Sequence, residues 1–425
     1  MSVSTNPPDG GAKAWLAVAG AWCGLFVSFG WITCMGLFQA HYQNHQLSAY
    51  SPSSIAWIPS VETFFLFVSA PFSGKAFDDY GPRPLLILGT FLHVFGLMML
   101  SLCQQYYQFF LAQSVCSALG AGAIFWASNN SVGTWFNKRR GLALGIVSSG
   151  SSVGGVVGSA SIPALISRVG FGWAMRITAF LYLALLLVAL AMLRSRLEHT
   201  PSRSRLIELL NPLREWYISS LGIAGFLVFL GVFLPYNYLV VEAVAAGMDR
   251  TLADSLLVVM SATSILGRIV PGWAGDRLGR FNVTITLTFL SSLFVLAVWG
   301  PASNDSIRVA FSALYGFTSG AFVSMVPTLI AQVCPDPKKL GTYMGAVYLI
   351  ISPSVIISQP LGGALSSIGR GNMIWMKVFC ALILAIGGLM VVVARSVYIT
   401  EVHNRNRRGV AEVTDLANLR GLRKA

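Results

Sequence analysis

The sequence predicts an all-α membrane protein whose twelve transmembrane helices form two six-helix bundles. Three observations carry the prediction. Hydrophobic residues make up 55% of the 425-residue chain and charged residues only 11%, against roughly 25% charged in a typical soluble domain. The apolar residues fall into twelve runs of spanning length. A polar motif that follows the second run returns after the eighth.

So little charge cannot cover a water-facing surface, which leaves lipid as the main solvent. The mean hydropathy of +0.68 agrees. The 42 glycines suit helices that approach closely in lipid. The net charge of +13 sits in short clusters between apolar runs, the pattern that orients a membrane protein. No stretch interleaves basic and aromatic residues on a soluble module, so nucleic acid is not an expected partner. Of the six cysteines, Cys23, Cys34, Cys116 and Cys380 lie inside apolar runs, Cys103 near the end of one, and Cys334 in a loop. None has metal-ligand spacing. They read as small packing residues, and no metal or other cofactor is expected. The N-terminus lacks a basic region with an adjacent cleavage site, so the first apolar helix is expected to be the insertion signal.

A spanning helix needs about 20 mostly apolar residues. The runs lie near 14–38, 55–76, 84–103, 107–134, 142–165, 172–194, 217–245, 254–274, 281–300, 307–332, 342–366 and 372–395. With both termini cytoplasmic, the loop Lys and Arg collect on the cytosolic side, and only Arg168, Arg250, Arg308 and Arg370 fall opposite. An odd number of crossings would scramble that split. The division is a cytoplasmic N-terminus (1–13), an N-terminal bundle (14–194), a cytoplasmic linker (195–216), a C-terminal bundle (217–395) and a basic cytoplasmic tail (396–425). For the tail, disorder is expected ahead of contact with anionic lipid. The expected setting is a monomer in the plasma membrane, with an internal membrane as the alternative.

The repeat is the strongest evidence for architecture. After the second run stand Gly74, Asp78, Gly81 and Arg83. After the eighth stand Gly272, Asp276, Arg277, Gly279 and Arg280, and both glycines and the aspartate are offset by 198 positions. Gly141 and Gly145 open the fifth run, and Gly341 and Gly345 the eleventh, offset by 200. Glycine lets a helix end pack closely. The aspartate beside it suits another helix N-terminus or an arginine. Such a cluster forms a cytoplasmic gate that holds the halves together in one state and frees them in the other.

These residues resemble the major facilitator superfamily from residue 9 to about 395. Three features are similar to its monocarboxylate porter family, the fungal branch in particular: Asp9-Gly10-Gly11 with Trp15, the Trp135–Gly145 segment with its basic pair, and Gly267-Arg268 with Pro271-Gly272. The resemblance implies alternating access around a central site, with protons as a coupling ion that the family allows. It implies a small organic substrate; many fungal relatives move secondary metabolites. Proton-coupled animal members carry a lysine in the first span and an aspartate one turn before the eighth-span arginine. Ile32 and Ser264 stand there in this chain. Both departures point away from lactate-type symport, toward a larger or less acidic substrate.

Charge within hydrocarbon costs at least ~2.5–3.5 kcal/mol for a central arginine. Arg268 lies deep in span eight, and its planar, permanently charged donors suit an anionic or carbonyl-bearing substrate or a coupling acid, with a structural pair to a cytoplasmic-face acid as the alternative. Glu62, inside span two, reads either as a group that takes up and releases a proton or as a hydrogen-bond partner of a neighbouring helix. His93 in span three reads as a packed histidine bonded to a carbonyl. Arg176, Glu242 and Lys377 sit near span ends and are expected to snorkel. Asn129 and Asn130 beside Trp126, and Asn237 with Tyr238, are amide–aromatic groups suited to a partly apolar ligand or to joining helices. Pro235, Pro327, Pro353 and Pro360 are expected to break spans seven, ten and eleven.

No H-E-x-x-H or phosphate-loop motif occurs; Gly74-Lys75 runs into Ala76. An enzyme is therefore not expected. A secondary transporter leads, with efflux of a secondary metabolite ahead of uptake or proton-coupled transport of a monocarboxylate. A membrane sensor is the alternative of another class; it would move nothing, whereas a carrier saturates and shows counterflow.

Overall fold

The computed structural model describes residues 7–201, 206–368 and 373–422. Each apolar run becomes helix: α1 (Ala12–Thr33), α2 (Ser53–Tyr80), α3 (Pro82–Leu100), α4 (Tyr106–Gly133), then a 53-residue element, Arg140–Met192. At 1.5 Å per residue that element measures about 80 Å, more than twice a bilayer core. Gly170, with φ 79° and ψ 163°, breaks it, giving α5 (140–169) and α6 (171–192). The second half holds α7 (Trp216–Ala245), α8 (Arg250–Leu278), α9 (Arg280–Trp299), α10 (Asp305–Val333), α11 (Pro337–Ser366) and α12 (Ile374–Leu422). The eleven apolar helices found among the described residues thus make twelve crossings.

Local chemistry sets the ends. Side chains of Ser51, Asp249 and Asn304 accept backbone N–H bonds at the starts of α2, α8 and α10, supplying donors' partners that the first helical turn lacks. Gly81 and Gly279 close α2 and α8 with φ of 77° and 95°, a region that L side chains disfavour.

Several ends differ from expectation. The first span stops at Thr33, and a separate ten-residue helix, Met35–Asn44, follows. The helices of spans seven, ten and eleven run on through Pro235, Pro327, Pro353 and Pro360; neighbouring helices in a packed bundle tolerate such residues. The 206–214 part of the linker is a 3₁₀ turn. Residues 202–205 of the linker, and Arg370, lie outside the described residues. The last helix continues through the basic tail to Leu422, where disorder was expected. Arg and Leu, both favourable helix residues, recur along the stretch.

Within the first half α1 lies along α5, and α3 along α4; within the second α8 lies along α10, and α7 along α11 and α12. The halves meet along two seams, α2 with α11 and α5 with α8. Loops 7–11, 134–139, 193–201 and 334–339 share one face, since Asp9, Trp135, Arg196 and His199 bond across them. It carries Lys138, Arg139, Arg194, Lys338 and Lys339, so we call it the basic face. The hydrogen bonds between halves found among the described residues all lie between this face and mid-depth. The molecule is closed there.

Candidate functional site

The gate motifs meet the opposite half in matching fashion. The Asp78 carboxylate accepts the N–H of Gly341 (2.8 Å) and Thr342 (2.7 Å) and the Thr342 hydroxyl (2.7 Å). Asp276 accepts the N–H of Gly141 and Leu142, both at 2.9 Å. Each carboxylate therefore satisfies orphan donors at the start of a facing helix, where charge-assisted bonds are strongest. Backbone contact demands the glycines. A Cβ on Gly74 would collide with the Gly341 carbonyl, and one on Gly272 with the Gly141 carbonyl.

The two motifs are not equal. Arg280 bonds Asp276 at 3.0 and 2.8 Å. At the matching place in the first motif stands Pro82, and Asp78 forms no ion pair among the described residues. Arg83 is exposed, and Arg277 lies over the Trp273 ring at 4.3 Å. The charge-closing role expected of an arginine thus falls to Arg280 alone. Gly81 packs against His199.

Seven residues in from the gate glycines, about 10 Å along each helix, the lining changes. Phe67 and Trp126 of the first half meet Tyr348 of the second at 5.3 and 4.5 Å, and Phe229 joins at 5.6 Å from Phe67. Phe29 and Phe125 back this layer. At similar depth Arg268 is buried, and its Nη1 donates across the seam to the Ser148 carbonyl (2.5 Å) and to Ser151 Oγ. Ser152 and Ser264 share a 2.7 Å bond beside it. No carboxylate pairs with Arg268 among the described residues, and its Nε meets no partner. Buried polar atoms without partners recur here: Ser128 Oγ, Asn129 Oδ1, both amide atoms of Asn130, and Ser148 Oγ. Unpaired buried groups are costly and call for an explanation. Asn130 follows Trp126 by one turn, on the face of α4 that Gly133 turns to Leu340 of α11.

The other expected site residues are placed differently. Glu62 is fully buried in the first half, accepting Trp31 Nε1 at 2.7 Å, with its second oxygen unpartnered. Tyr238 turns away to donate to the Gln359 carbonyl (2.7 Å), while the Asn237 amide nitrogen is left unpartnered. Tyr236, which sequence reasoning passed over, bonds Ser319 at 3.3 Å and lies within electrostatic reach of Arg268. His93 is a packed histidine, bonded to Ser117 and stacked on Tyr182. The polar run Ser148–Ser152 within an apolar span was the signal for the missed serines.

Glu242, Lys377 and Arg308 correct the sequence reading. The first two do not snorkel, and Arg308 is not a loop charge. Glu242 takes Arg308 (3.2 Å), Lys377 (3.1 Å) and the Trp299 indole (3.2 Å) in one buried cluster. It joins α7, α9, α10 and α12 at the face opposite the gate. A pairing across four helices is invisible to local spacing. Arg176 does sit at an end, on Ser101 and Trp173. Glu242→Gln would leave buried Lys377 short of its anion and buried Arg308 with only the half-exposed Asp305, 3.7 Å away. Breaking such a pair costs about 3–5 kcal/mol, so a large drop in thermal stability in detergent is expected, with Glu242→Asp intermediate. An unchanged unfolding temperature would refute this account.

The comparisons agree with this geometry. The family model described as Major Facilitator Superfamily matches residues 20–241 and again 218–424. "MFS-type transporter 1" of an Ophiocordyceps species is 45% identical, over 91% of this chain and 86% of its own. The "Fujikurins efflux protein" of Gibberella fujikuroi is 42% identical, over 92% and 84%. Among solved structures, the human organic anion transporter MFSD10 superposes with a TM-score of 0.75 at 16% identity, over 91% of this chain and 100% of its own. That last likeness concerns the fold alone. A duplicated bundle closed by paired glycine–aspartate contacts, a family model matching each half, and relatives aligned over nine-tenths of the chain lead to one assignment: this chain belongs to the Major Facilitator Superfamily.

Proposed function

We propose that this protein exports a small, partly apolar organic molecule bearing an acidic or carbonyl group, a secondary metabolite, by alternating access. The observation that carries the reading is the mid-depth level at which an aromatic wall shared by both halves, buried Arg268 and the unpartnered polar atoms of Ser128, Asn129, Asn130 and Ser148 all occur. Pockets that combine apolar walls with a few placed polar groups suit such ligands. Asn237 is a further candidate contact. Efflux is favoured by the printed function of relatives such as the fujikurins efflux protein. The three sequence signatures support a place in the monocarboxylate-porter branch. The charge bias of the loops supports a cytosolic basic face with both termini inside, and the plasma membrane suits export. The aspartate–glycine contacts are the inner gate, and the carrier works as a monomer of two six-helix bundles.

The test is to delete the gene in its host and compare cell and medium extracts. A metabolite retained in the cells and released again on complementation supports export; unchanged partitioning of every metabolite refutes it. Saturable counterflow of that compound in proteoliposomes separates a carrier from a sensor.

Glu62 is the proposed proton carrier. It is a carboxylate at full burial with no cation beside it among the described residues, and such intramembrane acids serve proton relays. Glu62→Gln is expected to abolish stimulation by a proton gradient while sparing counterflow. Equal stimulation in both proteins would remove Glu62 from coupling.

A further inference from the structure

Asp9 precedes α1 and has no part in binding or coupling as described so far. Among the described residues it is the one non-glycine with a left-handed backbone, at φ 52°, an uncommon conformation that must be held by its surroundings. What holds it is the turn between α4 and α5. Asp9 Oδ1 accepts the backbone N–H of Asn137 (2.6 Å), Lys138 (2.7 Å) and Arg139 (3.4 Å). Its own N–H donates to the Trp135 carbonyl at 3.3 Å. Six residues on, Trp15 sets an edge against Phe136 with centroids 5.3 Å apart.

That turn supplies the first-half side of the α5–α8 latch. Immediately after it come the Gly141 and Leu142 N–H groups that bind Asp276. Within it, the Asn137 carbonyl accepts Arg280 Nη2 at 2.5 Å. At its end, buried Arg140 spans the two halves: Nε bonds Phe136 O (2.8 Å) and Nη1 bonds Ala331 O (2.5 Å), capping the end of α10. The second half solves the same problem differently. Its equivalent turn is capped from within, Asp336 Oδ1 accepting Lys338 N–H at 3.0 Å, and it presents Gly341 and Thr342 to Asp78.

We infer that Asp9 is a positioning residue of the gate, the cap that shapes the α4–α5 turn for the α5–α8 latch as Asp336 shapes its counterpart for α2–α11. The inference rests on the alternating-access reading for its consequence in transport, but its test reads distances directly. Full-length protein is reconstituted in liposomes with its six native cysteines replaced. Spin labels are attached through Lys138→Cys with Leu278→Cys across α5–α8, and through Tyr80→Cys with Lys339→Cys across α2–α11, all exposed positions.

Asp9→Ala is expected to lower the closed-to-open ratio at the first pair roughly fivefold, the effect of one lost cap, and to leave the second pair unchanged. Asp336→Ala is expected to do the reverse. Asp9→Glu should restore most of the closed state. Asp9→Asn, which keeps the size of the cap and loses its charge, should fall between and serves if the alanine variant does not assemble. Two results overturn the inference: both pairs unmoved by Asp9→Ala, or both shifted alike, which is the mark of general loosening. Were the transport reading wrong and this inference right, the distances would still respond in a protein that moves no solute.

Discussion

Replacing Arg268 with Met is expected to reduce transport by about thirtyfold or more while leaving the protein as stable as before, or more so. The two effects have one cause. Arg268 is 3% exposed and has a serine hydroxyl and a backbone carbonyl as partners, with no carboxylate paired to it among the described residues. A buried charge lacking a counter-ion destabilises the fold, so an apolar side chain of similar length relieves that cost. The guanidinium is also the fixed cation of the proposed site. Losing a desolvated, hydrogen-bonded charge from an interface costs about 2–5 kcal/mol, which sets the transport effect. Arg268→Lys keeps the charge without the planar fork and should fall between. The measurement is initial transport rate per reconstituted molecule, alongside unfolding temperature in detergent. Full activity in the Met variant would exclude Arg268 from the site. Lost activity together with collapsed stability would make it a structural tie instead.

Gly74→Val is the second large effect expected. Its Cβ would meet the Gly341 backbone, and backbone cannot swing aside as a side chain can. The basic face would then close only by parting the α2–α11 seam and releasing the three bonds on Asp78. Overpacking of this kind costs about 1–3 kcal/mol, a shift of roughly five- to 150-fold away from the closed state. Labelling of a thiol placed above the gate, from the basic side, should rise accordingly. Gly272→Val should act alike at the α5–α8 seam. Gly36→Val, where a Cβ meets nothing within 4 Å, is the control. Unaltered labelling in both gate variants would mean that the glycine contacts do not control access.

The sequence carried the architecture because its signals are local and redundant. Hydropathy located the crossings, and the loop charges required an even number. The one crossing pair merged into a single helix is parted at Gly170, which the apolar run around it still allowed to be read as two. The paired glycine–aspartate contacts were equally legible, since both motif copies stand in register and each aspartate needs only a facing helix start. Which arginine closes the pair was not legible, because Arg83 and Arg280 look alike until Pro82 is placed opposite Arg280. The proposed central site was visible in part. Arg268 and the paired asparagines stand out as polar residues in apolar runs. Tyr238 was misleading because two positions, about 200° around the helix, separate a side chain facing α10 from one facing α11, and Tyr236 takes the former. The cluster of Glu242, Arg308 and Lys377 was missed altogether. Its members come from three spans, and each alone resembles an end-of-helix charge.

The joint at Gly170 makes a mechanical demand on the carrier. α5 and α6 are connected by one left-handed residue with no slack between them. α5 lines a seam that must part in every cycle, whereas α6 shows Trp173, Phe180, Leu181 and Leu187 outward. A tilt begun at the protein's midline is therefore levered to its rim.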